Sequence, residues 1–178
     1  LKNMEIDINH RYVIETEQIL AERRHEKDKF SEIIEHNLLH AAILHKNKEI
    51  VKILVANPKI NIKDKMIITQ ITTDRIKIDN DFPNRTVIHK ETGNALHFAT
   101  KMGNIDIVQT ILSHPDIDIN DILEENDKEV VETRGYHGKR FKYMKLNVKK
   151  TSLHIALHKG YANIAQFLLS KNIVLKEE

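Results

Sequence analysis

Apolar residues recur along this chain in a pattern that repeats three times at a constant spacing. Each copy begins with Leu-His-x-Ala, and two further pairs of apolar residues follow, eleven and fifteen positions after the Leu. The copies start at Leu39, Leu96 and Leu153, which lie 57 residues apart at each step. Because a fixed period means that each unit buries its apolar face against its neighbours, the pattern predicts a repeat array.

Each copy predicts two helices followed by a tail. The residue two places before the Leu has a side chain that can cap the first helix; these residues are Asn37, Asn94 and Thr151. The first helix is expected to run about nine residues and to stop where left-handed backbone is tolerated, at Asn47, Gly103 and Gly160. The second helix carries the apolar pairs on one face. We expect an extended tail after it, at residues 59–62 and 116–120, and an equivalent tail at residues 5–9.

Long inserts separate each tail from the next first helix. The third insert, residues 121–150, has two alternating runs around a turn bounded by Gly135 and Gly138, which predicts a β-hairpin. The second insert, residues 64–93, also predicts strands, at 69–72, 75–78 and 86–89. The first insert, residues 10–36, is ambiguous, because residues 13–16 look extended whereas 18–36 have helix-forming composition. Its equivalence to the other two inserts favours a hairpin.

These helix and tail motifs resemble the ankyrin repeat family. The resemblance covers both helices and the tail of three units, and it implies stacked helix pairs that carry β-hairpin fingers. Two features depart from the family: Leu38, Ala95 and Ser152 replace the Pro of the first turn, and the period is 57 rather than about 33 residues. The extra residues lengthen the fingers. The expected fold class is therefore an α-solenoid with β-hairpins, an ankyrin-type stack with extended fingers.

We expect a single array over residues 1–178. In this division, residues 1–9 are the tail of a preceding repeat, and 10–63, 64–120 and 121–175 each combine a finger with a helix pair. Neither end shows the polar cap that terminal repeats need, so we interpret the chain as a fragment of a longer array. The fingers are expected to stack into one continuous sheet, because a two-stranded ribbon alone is marginal in water. Ala42, Ala99 and Ala156 are expected to be buried between neighbouring first helices.

Composition narrows the function. The net charge is +2, too small to mark the whole chain as nucleic-acid binding. The chain has no cysteine, which excludes disulfides and thiolate metal sites. No apolar run approaches the ~18 residues of a membrane span, so no membrane partner is expected. Ile, Lys and Asn supply 62 of the 178 residues, which indicates an AT-rich genome.

The eleven histidines are the most catalytic-looking residues. His36/His40 and His154/His158 have the i, i+4 spacing that would put two imidazoles on one helical face, as metal sites require. The resemblance instead assigns His40, His97 and His154 a structural role, as buried imidazoles that hydrogen-bond neighbouring backbone. No carboxylate recurs beside them, and the chain lacks G-x-S-x-G and Gly-rich phosphate motifs. We therefore expect no enzyme activity, no metal and no cofactor.

The third insert carries the most distinctive polar pattern. Residues 134–150 contain seven basic residues and no acidic one, interleaved with Tyr136, Phe141 and Tyr143. This pattern suits an acidic protein surface or a nucleic acid. Residues 121–132 hold six acidic residues and one Lys. Cross-strand ion pairs, worth about 0.2–1 kcal/mol each, could equally neutralise the two arms, and both roles can coexist.

Candidate partner-binding residues lie in two places. The resemblance implies a groove between the fingers and the first helices, to which Lys101, Met102 and His158 would contribute. The third finger contributes the remaining candidates, which are Arg134, Tyr136, His137, Lys139, Arg140 and Tyr143. We expect Tyr136 and Arg140 to face outward at the finger tip. At least one of Phe141 and Tyr143 is expected to pack inward, against the second finger near Ile76 and Ile78.

The predicted function is a protein–protein interaction module or scaffold. Its AT-rich codon usage and unusual units favour a targeting arm of a bacterial or viral host-directed protein. Such a protein would be cytoplasmic, or in the host cytoplasm or nucleus if secreted. One alternative is binding of nucleic acid or an acidic surface through the third finger, with nucleic acid the less favoured partner. Another is a substrate-targeting array of an enzyme whose catalytic domain lies outside this chain.

Overall fold

The computed structural model of the chain describes residues 7–23, 26–75, 83–135 and 138–171. Within these ranges the helices form three pairs, each made of a seven-residue helix and an eight-residue helix. The pairs are α1 (Leu38–Leu44) with α2 (Lys48–Val55), α3 (Ala95–Lys101) with α4 (Ile105–Leu112), and α5 (Ser152–His158) with α6 (Ala162–Leu169). The first helices α1, α3 and α5 pack side by side, and α2, α4 and α6 form a second row. None of the described helices is long and apolar enough to cross a membrane.

The predicted caps of the first helices are confirmed. Asn37 Oδ1 accepts the His40 backbone N–H at 3.1 Å. Asn94 Oδ1 accepts the N–H groups of Leu96 and His97, and Thr151 Oγ1 lies 3.5 Å from the His154 nitrogen that it caps. Each cap satisfies backbone donors that the first turn of a helix would otherwise leave without a partner.

The ends of the first helices correct the prediction at one position. Gly103 and Gly160 have φ of 71° and 72°, as predicted for residues that close a helix. In the first unit Lys46 takes this conformation, with φ of 54°. The predicted stop, Asn47, is instead the cap of α2 and accepts the Ile50 N–H at 3.1 Å. The first helices are also two residues shorter than expected.

The tails are consecutive turns, so the prediction of extended backbone was wrong. Asn57 Oδ1 accepts the N–H of Lys59 at 2.9 Å, and the Asn57 carbonyl accepts the N–H of Ile60 at 3.0 Å. Asp118 closes the equivalent turn by accepting the N–H of Asn120 at 2.9 Å. Asn and Asp side chains bend the backbone in this way by bonding two residues ahead. Of the tail predicted at residues 5–9, residues 5 and 6 lie outside the described part, and Asp7 makes the same turn.

All three inserts are β-hairpins, including the first, where the sequence was ambiguous. The hairpins, called fingers below, are β1 (Tyr12–Arg23) with β2 (Glu26–His36), β3 (Lys65–Arg75) with β4 (Asn84–Asn94), and β5 (Leu123–Gly135) with β6 (Gly138–Lys150). They join into one six-stranded antiparallel sheet in the order β1-β2-β3-β4-β5-β6. The prediction that the fingers stack into a continuous sheet is therefore confirmed. In the second finger, two separate strands were predicted at residues 69–72 and 75–78. Residues 69–72 and 75 instead belong to the single strand β3, and residues 76–78 lie outside the described ranges.

The pairing between fingers repeats with the helices. Lys29 of β2 lies opposite Thr73 of β3, and Thr86 of β4 lies opposite Val130 of β5. Each member of the second pair is 57 residues beyond its counterpart in the first. Every internal junction therefore has the same register, set by the same period that stacks the helices.

The core lies between the helix rows and the bases of the fingers. Ala99 and Ala156 are fully buried and Ala42 is 6% exposed, which confirms the predicted close approach of the first helices. Met66 at the base of β3 and Leu123 at the base of β5 are also fully buried and belong to the same cluster. The finger bases are thus anchored in the helical core, and this anchoring positions the rest of each finger.

Candidate partner-binding surface

The sheet has two chemically different faces. Successive side chains of a strand point to opposite faces, so the pairing register assigns each residue to one of them. The helix-side face is defined by Glu91, which is 2% exposed and ion-paired with Lys101 at the end of α3. The residues of β6 that share this face are Lys142, Met144, Leu146, Val148 and Lys150. The outer face of β6 carries Tyr143, Lys145, Asn147 and Lys149.

A groove separates the helix-side face from the first helices. At its third unit, the ion pair Lys101–Glu91 and the ion pair Lys150–Glu125, at 2.6 Å, line a cavity of about 170 Å³. The cavity is completed by three residues of α5 and its C-terminal cap, namely Ile155, His158 and Lys159. The groove therefore has a charged floor in which each of the two carboxylates meets a lysine.

The three predicted groove residues have different environments. Lys101 lines the cavity but is committed to Glu91. Met102 is half-buried and packs against the core cluster. His158 is exposed and lines the cavity. The structure thus brings Lys101 and His158 to one site, and of the three only His158 is an exposed side chain.

The predicted finger-tip residues fall mostly outside the described side chains. Tyr136 and His137 lie outside the described residues altogether. Arg134 and Lys139 are paired backbone positions next to the turn, and Arg140 lies opposite Thr133. Their side chains lie outside the described part, so the expectation that Tyr136 and Arg140 face outward stays a prediction.

Tyr143 is not the inward-packing aromatic that was expected at either Phe141 or Tyr143. It is 62% exposed on the outer face, and Lys128 Nζ lies 5.8 Å from its ring centroid. The side chain of Phe141, and Ile76 and Ile78, lie outside the described part, so the prediction remains open for Phe141.

The acidic arm of the third finger is shared between two neighbours. Glu125 pairs with Lys150 of β6, in line with the predicted neutralisation within the finger. Asp127 Oδ1 instead lies 2.5 Å from His89 Nδ1 of β4, and Glu129 lies 4.0 Å from Arg85 of the same strand. Neutralisation within the finger is therefore partial. Among the lysines of β6 whose side chains the structure describes, Lys142, Lys145 and Lys149 are exposed.

Only His97 shows both parts of the predicted structural role, which are burial and a hydrogen bond to neighbouring backbone. His40 is buried, but neither of its ring nitrogens has a hydrogen-bond partner among the described residues, so the predicted bond is absent there. His40 and His97 are each 1% exposed. His97 Nδ1 accepts the Asn94 N–H at 3.1 Å, and its Nε2 lies 2.8 Å from the Asp121 carbonyl oxygen, to which it donates. His154 Nδ1 accepts the Thr151 N–H at 3.3 Å, as predicted. His154 is exposed, which contradicts the predicted burial, because no following finger covers it among the described residues. Burial of this position comes from the next unit along the array.

Burial keeps the two buried imidazoles neutral. Loss of hydration, with smaller electrostatic contributions from His36 and Arg11, lowers the pKa of His40 to about 3. Burial also lowers the pKa of His97, against the opposing effect of the Asp121 carbonyl. The proposed helical pairing of His36 with His40 was wrong, because His36 ends β2. In the described ranges, no three His, Asp or Glu side chains are grouped so that they could hold a metal ion.

Sequence reasoning missed the apolar residues of the third finger. Met144 and Leu146 are 58% and 57% exposed and share the helix-side face with Lys142. Alternation along β6 separates them from Tyr143 and Lys145, and this alternation was the available signal. Without the strand register, the basic residues of 134–150 appeared in the sequence as one run, although the strand divides its residues between two faces of the sheet.

Comparison with known proteins agrees with the fold. Residues 25–122, more than half of the chain, match the family model described as ankyrin repeats (3 copies). The chain belongs to the ankyrin repeat family. Proteins of this family are generally protein–protein interaction modules and are typically non-catalytic. No curated protein and no solved structure matches the chain.

Proposed function

We propose that this chain is a protein-binding module that holds a protein segment in the groove between the third finger and α5. The observation that supports this proposal most directly is the exposure of Met144 and Leu146 on the helix-side face of β6. Large apolar side chains exposed together, beside polar residues, mark interaction sites. Lys142 lies on the same face of β6 as these two residues, and His158 and Lys159 line the cavity at the base of the finger.

The charge of the groove selects an acidic segment. Glu91 and Glu125 are already engaged by Lys101 and Lys150. Asp127 and Glu129, which lie opposite Leu146 and Met144 on this face, contact His89 and Arg85 of β4. Lys142 and Lys159 are the exposed cations of the walls. A segment with aliphatic or aromatic residues between carboxylates would fill the apolar positions and meet these lysines. The apolar anchors would supply most of the affinity, and the lysines would govern the association rate and the register.

The surface is prepared for binding before a partner arrives. Val148 and Lys150 lie at the base of β6, which pairs with β5 along its whole length. Leu123 of β5 is fully buried in the core beneath it. A rigid site loses little conformational entropy on docking, so more of the contact energy appears as affinity.

The test uses a library of random peptides displayed on phage and selected against the folded chain. We expect enrichment of peptides with Asp or Glu flanking apolar residues. For a synthetic copy of a selected peptide, Met144→Ser/Leu146→Ser should weaken binding at least about tenfold in fluorescence anisotropy. The matched control, Lys145→Ser/Asn147→Ser, changes the outer face of the same strand and should alter affinity less than about twofold. Equal losses in both variants would contradict a site in the groove.

Nucleic-acid binding is the second candidate, favoured by the outer face of β6. Tyr143 and Lys149 are exposed there, beside Lys145. Aromatic rings stack on bases and lysines neutralise phosphates. A single-stranded oligonucleotide that binds the chain, loses affinity steeply with salt, and is released by Lys145→Glu/Lys149→Glu would support this candidate instead. The groove variant Met144→Ser/Leu146→Ser should then bind the oligonucleotide normally.

A further inference from the structure

A cavity lies in the second row of helices, between α2 and α4. Its volume is about 560 Å³, and its walls are side chains of these two helices and of the residues that directly follow each of them. Cavities of about 300–1,000 Å³ are the usual size of ligand sites. Lys48 of α2 pairs with Asp106 of α4 at 2.8 Å, so an ion pair bridges the two walls near the start of both helices. The cavity is therefore part of the junction between two consecutive units.

The next junction shows what can fill such a space. Thr110 lines the cavity from α4, and the residue 57 positions later is Phe167 of α6. By this equivalence Phe167 faces α4 as Thr110 faces α2, and its half-buried ring packs against the core cluster. Lys171 Nζ lies 5.4 Å from the ring centroid of Phe167, and His114, which lines the cavity, holds the place of Lys171. An aromatic ring thus occupies at one junction the place that Thr110 leaves open at the other.

The hydroxyl groups of the α4 wall are satisfied within their own segment. Thr110 Oγ1 donates to the Asp106 carbonyl oxygen at 2.8 Å, and Ser113 Oγ donates to the Thr110 carbonyl oxygen at 2.6 Å. Val55 of α2, which is 8% exposed, adds an apolar side chain to the lining. Because these hydroxyl donors already have acceptors, an apolar group can enter the cavity without leaving them unpaired.

The lining of the cavity has an excess of positive charge. Its charged residues are Lys48, Lys52 and Asp106, and the first and last of these neutralise each other in the bridging ion pair. Lys52 is exposed, and its ammonium group forms no ion pair with any residue that the structure describes. A carboxylate that approaches the cavity would therefore meet a cation that is free to pair with it.

We propose that this cavity is a second docking site, which receives an aromatic side chain of a protein partner while a neighbouring carboxylate of that partner pairs with Lys52. The ring would take the place between α2 and α4 that Phe167 takes between α4 and α6. The site belongs to the second row of helices, whereas the peptide-binding groove lies between a finger and a first helix. It is therefore independent of the groove, and the chain can hold two partner segments at the same time.

The two contacts of this site have different expected weights. An aromatic side chain that fills a pocket is a frequent anchor of protein interfaces, because it removes a large apolar area from water. A charge pair at an exposed rim contributes less affinity and acts mainly on the association rate. Blocking the place of the ring should therefore weaken binding more than reversing the charge of Lys52.

The test is a selection of random phage-displayed peptides on the full chain, after the library has been depleted on the variant Thr110→Phe. This variant places a ring in the cavity, so the depletion removes peptides that bind any other surface, the finger groove included. We expect the retained peptides to carry Phe, Tyr or Trp next to Asp or Glu. Circular dichroism would check the folding of Thr110→Phe, and if it does not fold, the library is depleted on Lys52→Glu instead.

A synthetic copy of a retained peptide then measures the two contacts by fluorescence anisotropy. Thr110→Phe should weaken its binding at least about tenfold, and Lys52→Glu at least about threefold. Two matched controls make the same kinds of change at exposed residues that do not line the cavity, namely Ala162→Phe and Lys63→Glu. Each control should alter the affinity less than about twofold.

Two results would overturn the proposal. The depleted library could yield no peptide that binds the original chain with a Kd below about 1 mM, which would leave the cavity without meaningful affinity. Alternatively, Lys52→Glu and Lys63→Glu could bind a retained peptide equally well, which would place the contact on another surface. The groove variant Met144→Ser/Leu146→Ser should bind the retained peptide like the original chain, so failure of the groove and failure of the cavity are distinguishable.

Discussion

The helical layer and the finger sheet of this protein are stabilised by different means. Leu39, Leu96 and Leu153 recur in the helical layer and are at most 1% exposed. Beyond the buried bases, finger residues such as Ile14 and Leu146 remain about half exposed, and the strands are held mainly by backbone pairing. Apolar burial is the dominant favourable contribution to folding. The helical layer therefore supplies most of the stability, and the fingers provide surfaces that can change at little cost to the fold.

The largest expected effect comes from truncating the centre of the helical layer. Phe98 is fully buried, and its ring packs edge-on against His40 with centroids 6.4 Å apart. Phe98→Ala should reduce the free energy of unfolding by about 3–5 kcal/mol, measured by urea titration. The control Met144→Ala on the third finger should change it by less than about 1 kcal/mol. Similar losses in the two variants would remove the distinction between the layers.

A smaller effect is expected from overpacking the contact between first helices. Ala99 is fully buried where α3 lies between α1 and α5. Ala99→Leu should cost roughly 1–3 kcal/mol of unfolding free energy, because the helices must move apart. Ala162→Leu places the same side chain at an exposed position of α6 and should leave the melting temperature nearly unchanged. An unchanged melting temperature for Ala99→Leu would argue against the close stacking.

The pH dependence of stability should also originate in the helical layer. The pKa of His40 is about 3 in the folded protein and 6.5 in the reference state. Between these values the unfolded chain binds more protons, so the free energy of unfolding falls as pH decreases through this window, by about 2 kcal/mol at pH 5. His40→Leu should flatten the dependence, whereas the equivalent exposed substitution His154→Leu should preserve it. Urea titrations from pH 7 to pH 4 would measure the difference, and identical slopes for His40→Leu and the original chain would contradict the assignment.

The smallest effect is expected within the sheet. Gln70 Nε2 donates to Glu32 Oε1 at 2.7 Å across the junction of the first two fingers, in a half-buried setting. Gln70→Ala should cost less than about 1 kcal/mol, as is usual for cross-strand pairs. Thermal unfolding of Gln70→Ala would check this. Thr69→Ala is the control variant, because Thr69 is the adjacent residue and lies on the outer face of the sheet. A loss above about 2 kcal/mol would mean that the finger sheet contributes more to the stability of the protein than its comparison with the helical layer implies.

Features set within one unit were predictable from the sequence. The caps at Asn94 and Thr151 and the turn at Gly135 and Gly138 depend on local backbone chemistry, which the sequence shows directly. The tails were wrongly expected to be extended, because alternating Asp and Ile is compatible with both a strand and a series of side-chain-closed turns. Asn47 was mistaken for the helix stop because Asn suits both a left-handed position and a cap.

Features that depend on neighbouring units were not predictable in the same way. His154 has the motif of His97 but lacks a covering finger among the described residues, so the same sequence is exposed in one unit and buried in another. The proposed binding surface was only partly predicted, because the face occupied by Met144 or Tyr143 follows from strand register, which composition does not reveal. The sequence allowed the acidic arm of the third finger to pair with the basic arm of the same finger, yet Asp127 of this arm contacts His89 of the preceding finger.

The strictly sequential order of the strands has a consequence for the kinetics of folding. Among the described strands, each pairs only with strands adjacent in the chain. Lys29 of β2 pairs with Thr73 of β3, and the segment between these two residues is typical of the longest loops that must close when the sheet forms. The entropy lost on closing a loop grows with its length, and folding slows as contacts become more distant in sequence. Because the loop at each junction stays the same, a sheet of this design could gain further fingers without an increase in the barrier to adding any one of them. Adding fingers to such a sheet therefore does not bring the slow folding that is usual for β-structures with distant contacts.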